Sequence, residues 1–275
     1  ILLIAHADAD VEGASATKVS MQTSTLSAVV ARPQQLTSGA QVVAADLVSR
    51  LARASVDAGL EEGTAGELVS SLDNLLATDA SALDGNATQA VGDSVSGAAS
   101  HLSAALIRDS VAGEPPAELR SARLNVTAAR HTPESIAGAT MAGPGGRGTV
   151  GFPRGILEAH GAAAGGDVDL HLMSFGRNVH ADPLGARPNA TANGTNASEP
   201  TAAAGAAAGW DEAVLSTATV SVSLRASGSG RALRVAGLSE PVVIAIPFAG
   251  DPRAFSGADG ATADLPATCQ YWDVV

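Results

Sequence analysis

The feature of this sequence that most constrains its fold is a change in hydrophobic spacing near residue 121. Before this point apolar residues recur every three or four positions, as on one face of a helix, and after it they recur every second position, as on one face of a strand. A chain of 275 residues with 45% hydrophobic residues can bury a sizeable core. The sequence therefore predicts an α+β fold, with a small helical subdomain over residues 1–120 and an antiparallel β-sandwich subdomain over residues 121–275.

Four segments of the first part have helical spacing. The first is predicted to end before Pro33, because proline cannot continue a helix. Thr64-Ala-Gly-Glu67 matches a capping box and predicts the start of the third. The fourth is predicted to end near Gly113. The apolar positions are Leu26, Val29 and Val30 in the first, Val43, Leu47, Val48 and Leu51 in the second, Leu68, Leu72, Leu75 and Leu76 in the third, and Val91, Val95, Leu102 and Leu106 in the fourth.

Five segments after residue 121 alternate apolar and polar residues, which is typical of half-buried strands. The polar residues between the apolar ones, Asp169 and His171 among them, are predicted to face water. Short connections between the strands favour antiparallel pairing. The apolar positions are Leu124, Val126 and Ala128, then Val168, Leu170 and Leu172, then Val220, Val222 and Leu224, then Leu233 and Val235, and last Val242, Ile244 and Ile246.

N-x-S/T sequons indicate N-glycosylation and therefore the lumenal or extracellular side of a membrane. They begin at Asn86, Asn125, Asn189, Asn193 and Asn196. Three of them lie within residues 185–209, where large apolar residues are almost absent, which predicts a flexible, glycosylated insertion. Residues 1–5 are apolar but too few to span a bilayer, and no start methionine precedes them, so we expect the chain to belong to a longer protein.

The charge of the chain argues against nucleic acid as a partner. Its net charge of −12 is spread over many separate Asp and Glu residues, and it would repel a phosphate backbone. With one cysteine, the chain cannot form an internal disulfide or a four-cysteine zinc site.

Two patterns match enzyme motifs by their letters. Ser15-Ala-Thr-Lys18 fits S-x-x-K, in which a lysine activates a serine nucleophile, but the companion motifs do not follow. A polar helix start is the favoured interpretation, and a hydrolase using Ser15 and Lys18 stays an alternative. Gly143-Pro-Gly-Gly-Arg-Gly148 fits a phosphate-binding loop, yet a strand rather than a helix is predicted after it, which favours a hairpin or interdomain loop.

Possible metal ligands form no complete pattern. His6, Asp8 and Asp10 alternate but lack the glycine turn and the glutamate of a calcium loop. His171 and His180 flank one strand without cysteines or closely spaced carboxylates beside them. Solvated polar side chains are the favoured interpretation, and the sequence predicts neither enzymatic activity nor a cofactor.

The end of the sequence carries a family resemblance. Cys269-Gln-Tyr-Trp-Asp273 follows an apolar strand pattern at residues 241–248, and together they resemble the opening of the GPS motif. This motif ends the GAIN domains of adhesion receptors and of polycystin-like (PKD/REJ-type) membrane proteins. Residues 26–55, 150–157 and 168–178 are also similar to segments of the polycystin-like members, and helices precede strands in both.

The resemblance implies a GAIN-like fold and a set of residue roles. Cys269 would pair with a second GPS cysteine outside this chain, and Tyr271 and Trp272 would pack into the sandwich core. The sequence ends before the position at which cleavable members carry the tripeptide where they cut themselves, so self-cleavage is assigned to no residue here. The alternative for this end of the chain is a free thiol at Cys269 beside an ordinary buried Trp272.

The resemblance also implies a function. The chain would be a structural, adhesion or mechanosensory module on the extracellular side of the plasma or ciliary membrane. Its expected partners are other segments of the same parent chain, N-glycans, and a polycystin-type channel or other ciliary surface proteins. An alternative from another class is a secreted or wall-associated adhesive β-sandwich glycoprotein without enzymatic activity.

Overall fold

The described part of the chain begins with a layer of helices. The computed structural model describes residues 15–78, 83, 85–146, 148–157, 166–176, 179, 219–233, 235 and 238–245. Within these ranges the long helices are α1 (Ala16–Val30), α2 (Ser38–Ala58), α3 (Glu62–Leu76) and α4 (Gly85–Leu106). None of the described helices is both long and apolar enough to cross a bilayer.

Side-chain caps fix where the first two helices begin. The hydroxyl of Ser15 accepts a hydrogen bond from the backbone N–H of Lys18 at 3.4 Å, and that of Thr37 accepts one from Ala40 at 3.3 Å. These bonds satisfy amides that have no partner within the helix. The interpretation of Ser15 as a polar helix start is therefore confirmed. Pro33 follows α1 in a short 3₁₀ turn, as the sequence predicts.

The predicted capping box at Thr64 is wrong. Helix α3 starts earlier, after Glu61, and Thr64 is buried inside its first turns. Glu67 does not reach back to the helix start, because its carboxylate accepts the single O–H of Ser24 of α1, whose Oγ lies 2.9 and 2.7 Å from the two carboxylate oxygens. The carboxylate links two helices instead of capping one.

Two other helix predictions need correction. Val43 is 49% exposed and lies outside the buried stripe of α2, whereas the other predicted positions, Leu47, Val48 and Leu51, are buried. Helix α4 ends at Leu106 rather than near Gly113. Gly113 lies in a later turn with φ of 90°, a conformation that favours glycine, and its N–H donates to the carbonyl of Arg130.

The strands of the described residues form two antiparallel sheets. They are β1 (Ala117–Arg120), β2 (Leu124–His131), β3 (Thr140–Ala142), β4 (Thr149–Gly151), β5 (Val168–Phe175), β6 (Thr219–Ala226) and β7 (Val243–Ala245), with a short helix α5 (Pro133–Ile136) after β2. One sheet has the order β1-β2-β5-β6 and the other has the order β3-β4-β7. The α+β class and the antiparallel pairing are confirmed.

All eight residues of β5 are buried, because both faces of the four-stranded sheet are covered at this strand. Val168, Leu170 and Leu172 point to the side of the three-stranded sheet and share a cluster with Val150 and Phe152. Met173 and Phe175 point to the other side, where they join Leu124, Val126 and the helices in a second cluster. The alternation of side chains along a strand thus divides β5 between two cores.

The predicted boundary at residue 120 stays a prediction, although β1 lies on its helical side and pairs with β2. The strand predicted at Leu233 is reduced, within the described residues, to a single bridge between Ala232 and Arg225. The predicted insertion at residues 185–209 lies outside the described residues.

Candidate functional site

A row of polar side chains lies inside the interface between α4 and the four-stranded sheet. Asp169 and His171 of β5 face the helices, on the opposite side of the sheet from Leu170, and Arg225 of β6 is the partner of Asp169 in the strand register. Ser100 and Ser103 are three residues apart on α4 and so share one face of that helix. We call the following residues the interface row: Ser100, Ser103, Arg130, Asp169, His171 and Arg225.

The centre of the row is a hydrogen bond between Ser103 Oγ and His171 Nδ1. Ser103 is 0% exposed and His171 is 1% exposed. The pKa of His171 is lowered to about 4, mainly by burial and also by the positive charge of Arg225, while the negative charge of Asp169 opposes the shift. At neutral pH the imidazole is therefore uncharged, and it joins the middle of the sheet to α4 without a buried charge.

Next to this pair, Arg130 of β2 holds Asp169 through two hydrogen bonds. Arg130 Nε donates to Asp169 Oδ1 at 2.7 Å, and Nη2 donates to Oδ2 at 3.1 Å. The hydrogen bond with Asp169 is the main reason that the pKa of Arg130 is raised. The remaining Nη1 donates to the carbonyl of Ser110 at 2.7 Å, so the same guanidinium also fastens the chain that follows α4.

The edge strand β6 is joined to α4 in a third way. Arg225 Nη2 donates to Ser100 Oγ at 2.8 Å. Every strand of this sheet except β1 thus contributes a side chain to the row, while α4 contributes two.

Helix α3 and the β1–β2 turn form a second connection. Asp73 Oδ1 accepts from Ser121 Oγ at 2.7 Å and from the backbone N–H of Arg123 at 2.6 Å, and Oδ2 pairs with Arg123 Nη1 at 3.1 Å. One carboxylate of the helical layer therefore satisfies three donors of a turn in the sheet. The helical layer is held to the sheet at both α3 and α4.

The Ser103–His171 pair has a structural role. A serine nucleophile must meet its substrate, and neither side chain has exposed surface at which a substrate could bind. The cavity at the end of β5, between residues 166–168 and the turn at residues 227–229, has a volume of about 130 Å³. This is below the usual range for small-molecule sites, about 300 to 1,000 Å³. Within the described residues, no three His, Cys, Asp or Glu side chains are grouped to hold a metal.

The structure separates the residues that the sequence singles out. Asn86 is exposed in the first turn of α4, whereas Asn125 is half-buried within β2. The glycine-rich pattern forms a turn between β3 and β4, in which Gly143 N–H donates to Gly148 O at 3.0 Å, so the hairpin interpretation is confirmed. The remaining residues lie outside the described part of the chain; they are His6, Asp8, Asp10, His180, Asn189, Asn193, Asn196, Cys269, Tyr271 and Trp272.

The prediction that Asp169 and His171 face water is wrong, because α4 covers that side of the sheet. The row itself was not foreseen from the sequence. Its only signals there are the histidine between Leu170 and Leu172 and the spacing of Ser100 and Ser103, and neither is specific.

No protein-family model matches this sequence, and no curated protein is significantly similar to it.

Proposed function

We propose that this chain is a GAIN-like structural module on the extracellular side of a polycystin-like surface protein, in which the helices and sheets respond to force as one unit. The observation that carries the proposal is the interface row, which joins α4 directly to β5 and β6 and joins β2 to β5 through buried and partly buried polar contacts.

The energetics of the interface support a fixed arrangement. Separating α4 from the sheet would leave Ser103 and His171 without their partners and would expose the apolar side chains of Met173 and Phe175. After separation the two polar groups would bond to water, so their lost hydrogen bond costs about 0.5 to 1.5 kcal/mol net, and each large apolar side chain that becomes exposed costs about 1.5 to 3 kcal/mol. These contributions add on one face, so a hinge between the two halves is disfavoured.

The order of elements also supports the proposal. Helices precede the sheets, and β7 at Val243–Ala245 pairs with β4, so the chain leaves the described residues from a paired strand. In a GAIN-like module the following segment would carry the GPS motif with Cys269, Tyr271 and Trp272. Its partners would be other segments of the parent chain, N-glycans and a polycystin-type channel or another ciliary surface protein.

Peptide mapping under non-reducing conditions tests the proposal. The native protein would be isolated from the cell surface after labelling with a membrane-impermeant biotin reagent, digested, and searched for peptides linked to Cys269. We expect a disulfide from Cys269 to a second cysteine of the parent protein. The Cys269→Ser variant is the control, in which the linked peptide pair disappears.

A free Cys269 thiol in a protein that is secreted into the medium would contradict the proposal. That outcome would favour the secreted or wall-associated adhesive glycoprotein.

A further inference from the structure

The segment that connects α4 to β1 is hydrogen-bonded to both layers of the fold. It consists of residues 107–114, which follow the last residue of α4 and precede the start of β1 at Ala117. We call residues 107–114 the strap. Ile107, at its first position, is 1% exposed, whereas Val111 is 65% exposed. The strap therefore begins in the interior and continues along the surface.

The outer contact of the strap joins Arg108 to the end of α2. Arg108 Nη1 donates to the carbonyls of Val56 and Asp57, at 3.1 and 2.8 Å. The last four carbonyls of a helix have no partner within the helix, and a positive charge is favourable beside them. Helix α2 has no basic residue in its own last turn. Arg108, 51 residues after Asp57 in the chain, supplies that charge instead.

The inner contact of the strap joins it to Arg130 of β2 in two ways. Arg130 Nη1 donates to the carbonyl of Ser110 at 2.7 Å, and the backbone carbonyl of Arg130 accepts from the N–H of Gly113 at 3.1 Å. The same guanidinium holds Asp169. The strap is thus bonded to α2 through Arg108 and to the interface row through Arg130.

Two turns within the strap link these contacts. The N–H of Ser110 donates to the carbonyl of Ile107 at 3.1 Å, and the N–H of Glu114 donates to the carbonyl of Val111 at 3.2 Å. The Glu114 carboxylate also accepts from the N–H of Val111 at 3.0 Å. Ser110 belongs both to the first turn and to the contact with Arg130, so loss of one contact is expected to loosen the next.

We propose that the strap is one cooperative conformational unit that couples the C-terminal end of α2 to β2 and opens from its Arg108 end. The side chain of Arg108 is 44% exposed, whereas that of Arg130 is 15% exposed. Water can therefore replace the carbonyl partners of Arg108 more easily than it can reach Arg130. In the module proposed above the strap would open before the interface row, and this use of the strap rests on the proposed function.

Hydrogen exchange of backbone amides, followed by NMR on the folded chain, tests the coupling. The Gly113 N–H reports on the inner contact, and Arg108→Gln removes the outer contact at an exposed position. We expect this variant to exchange the Gly113 N–H about tenfold faster, because one charge-assisted hydrogen bond of the closed strap is lost. The Gly230 N–H, which donates to the carbonyl of Ala226 at 3.0 Å in the turn after β6, is the control amide and should keep its rate.

Arg231→Gln is the matched control variant. It removes the same charge from an exposed position outside the strap and should leave the exchange of Gly113 unchanged. An unchanged Gly113 rate in Arg108→Gln would overturn the proposal, because the two contacts would then be independent. Equal acceleration of Gly113 and Gly230 would also overturn it, since the whole fold would then have loosened. The measurement uses the chain alone, so its failure is distinct from failure of the proposed function, which the bonding of Cys269 decides.

Discussion

The backbone carbonyl of Val179 lies directly against Gly92, so close that a Cβ atom at position 92 would be 1.9 Å from the carbonyl oxygen. Val179 belongs to the helix-side core, and Gly92 is in the middle of α4. The chain beyond β5 therefore packs on α4 at a point where only glycine fits.

Replacing Gly92 with alanine should destabilise the protein. In an exposed helix this change usually stabilises by up to about 1 kcal/mol, but here backbone atoms would have to move apart, at a cost of about 1 to 3 kcal/mol. Urea unfolding measures the difference. Gly66→Ala in α3 is the matched control, since nothing lies within 4 Å of its added Cβ, and it should stabilise the protein. Equal effects of the two changes would show that Val179 does not pack on Gly92.

Loss of the Asp73 carboxylate should weaken the connection between α3 and the β1–β2 turn. Asp73→Ala leaves Ser121 Oγ and the Arg123 N–H without this acceptor, so we expect a loss of about 2 to 3 kcal/mol in the free energy of unfolding, and a smaller loss for Asp73→Asn. Asp93→Asn on α4 is exposed and serves as the control. If Asp73→Ala had no more effect than the control, the turn would not depend on this carboxylate.

The stability of the protein should fall as the pH is lowered from 6.5 to about 4. His171 has a folded-state pKa of about 4 against an ordinary value of 6.5, so in this window the unfolded chain binds a proton that the folded chain does not. The contribution of His171 to the free energy of unfolding is complete above pH 6.5, falls between pH 6.5 and about 4, and is constant below pH 4. The difference corresponds to about 3 kcal/mol.

Urea unfolding of wild type and His171→Gln at pH 7 and pH 4.5 measures this contribution. The loss of stability between the two values should be about 2 to 3 kcal/mol smaller in the variant. His131→Gln is the control, because it keeps His171 and should keep most of the pH dependence. An identical pH dependence in wild type and His171→Gln would contradict the assignment.

The two sequons within the described residues should differ in occupancy. Asn86 is exposed, whereas Asn125 Nδ2 donates to Ser174 Oγ at 3.3 Å, and the turn at Gly145 lies against its side chain. Expression through a secretory pathway followed by glycopeptide mass spectrometry should detect a glycan on Asn86 that Asn86→Gln removes. Asn125→Gln should leave the glycan mass unchanged, and a glycopeptide at Asn125 in the folded protein would contradict this.

The sequence of a single helix or strand was enough to predict which of its residues are buried wherever that element alone determines its buried face. The spacing of Leu68, Leu72 and Leu75 predicts the buried face of α3, and all three are fully buried. The alternation of Val168, Leu170 and Leu172 predicts β5 in the same way. Both patterns arise because one face of a helix or strand must meet a core.

Sequence reasoning failed where another element decides burial. The alternating pattern of β5 is the same whether its polar face meets water or a helix. That face is buried by α4, whose Ser103 is 68 residues away in the chain from its partner His171. Val43 and Thr64 were misjudged for a related reason, because neighbouring helices set which side of α2 and α3 is covered. For the candidate site, the sequence contains two serines and a histidine, but no pattern in it predicts that these residues lie close together in the fold.

The burial of β5 on both of its faces determines how the protein unfolds. Its alternate side chains complete two cores, so melting the helices exposes Met173 and Phe175, and melting the smaller sheet exposes Leu170 and Leu172. Neither core can be lost without destabilising the strand that the other needs. The two halves should therefore unfold in one cooperative transition, with equal calorimetric and van't Hoff enthalpies, and the helices alone should not persist as a stable proteolytic fragment.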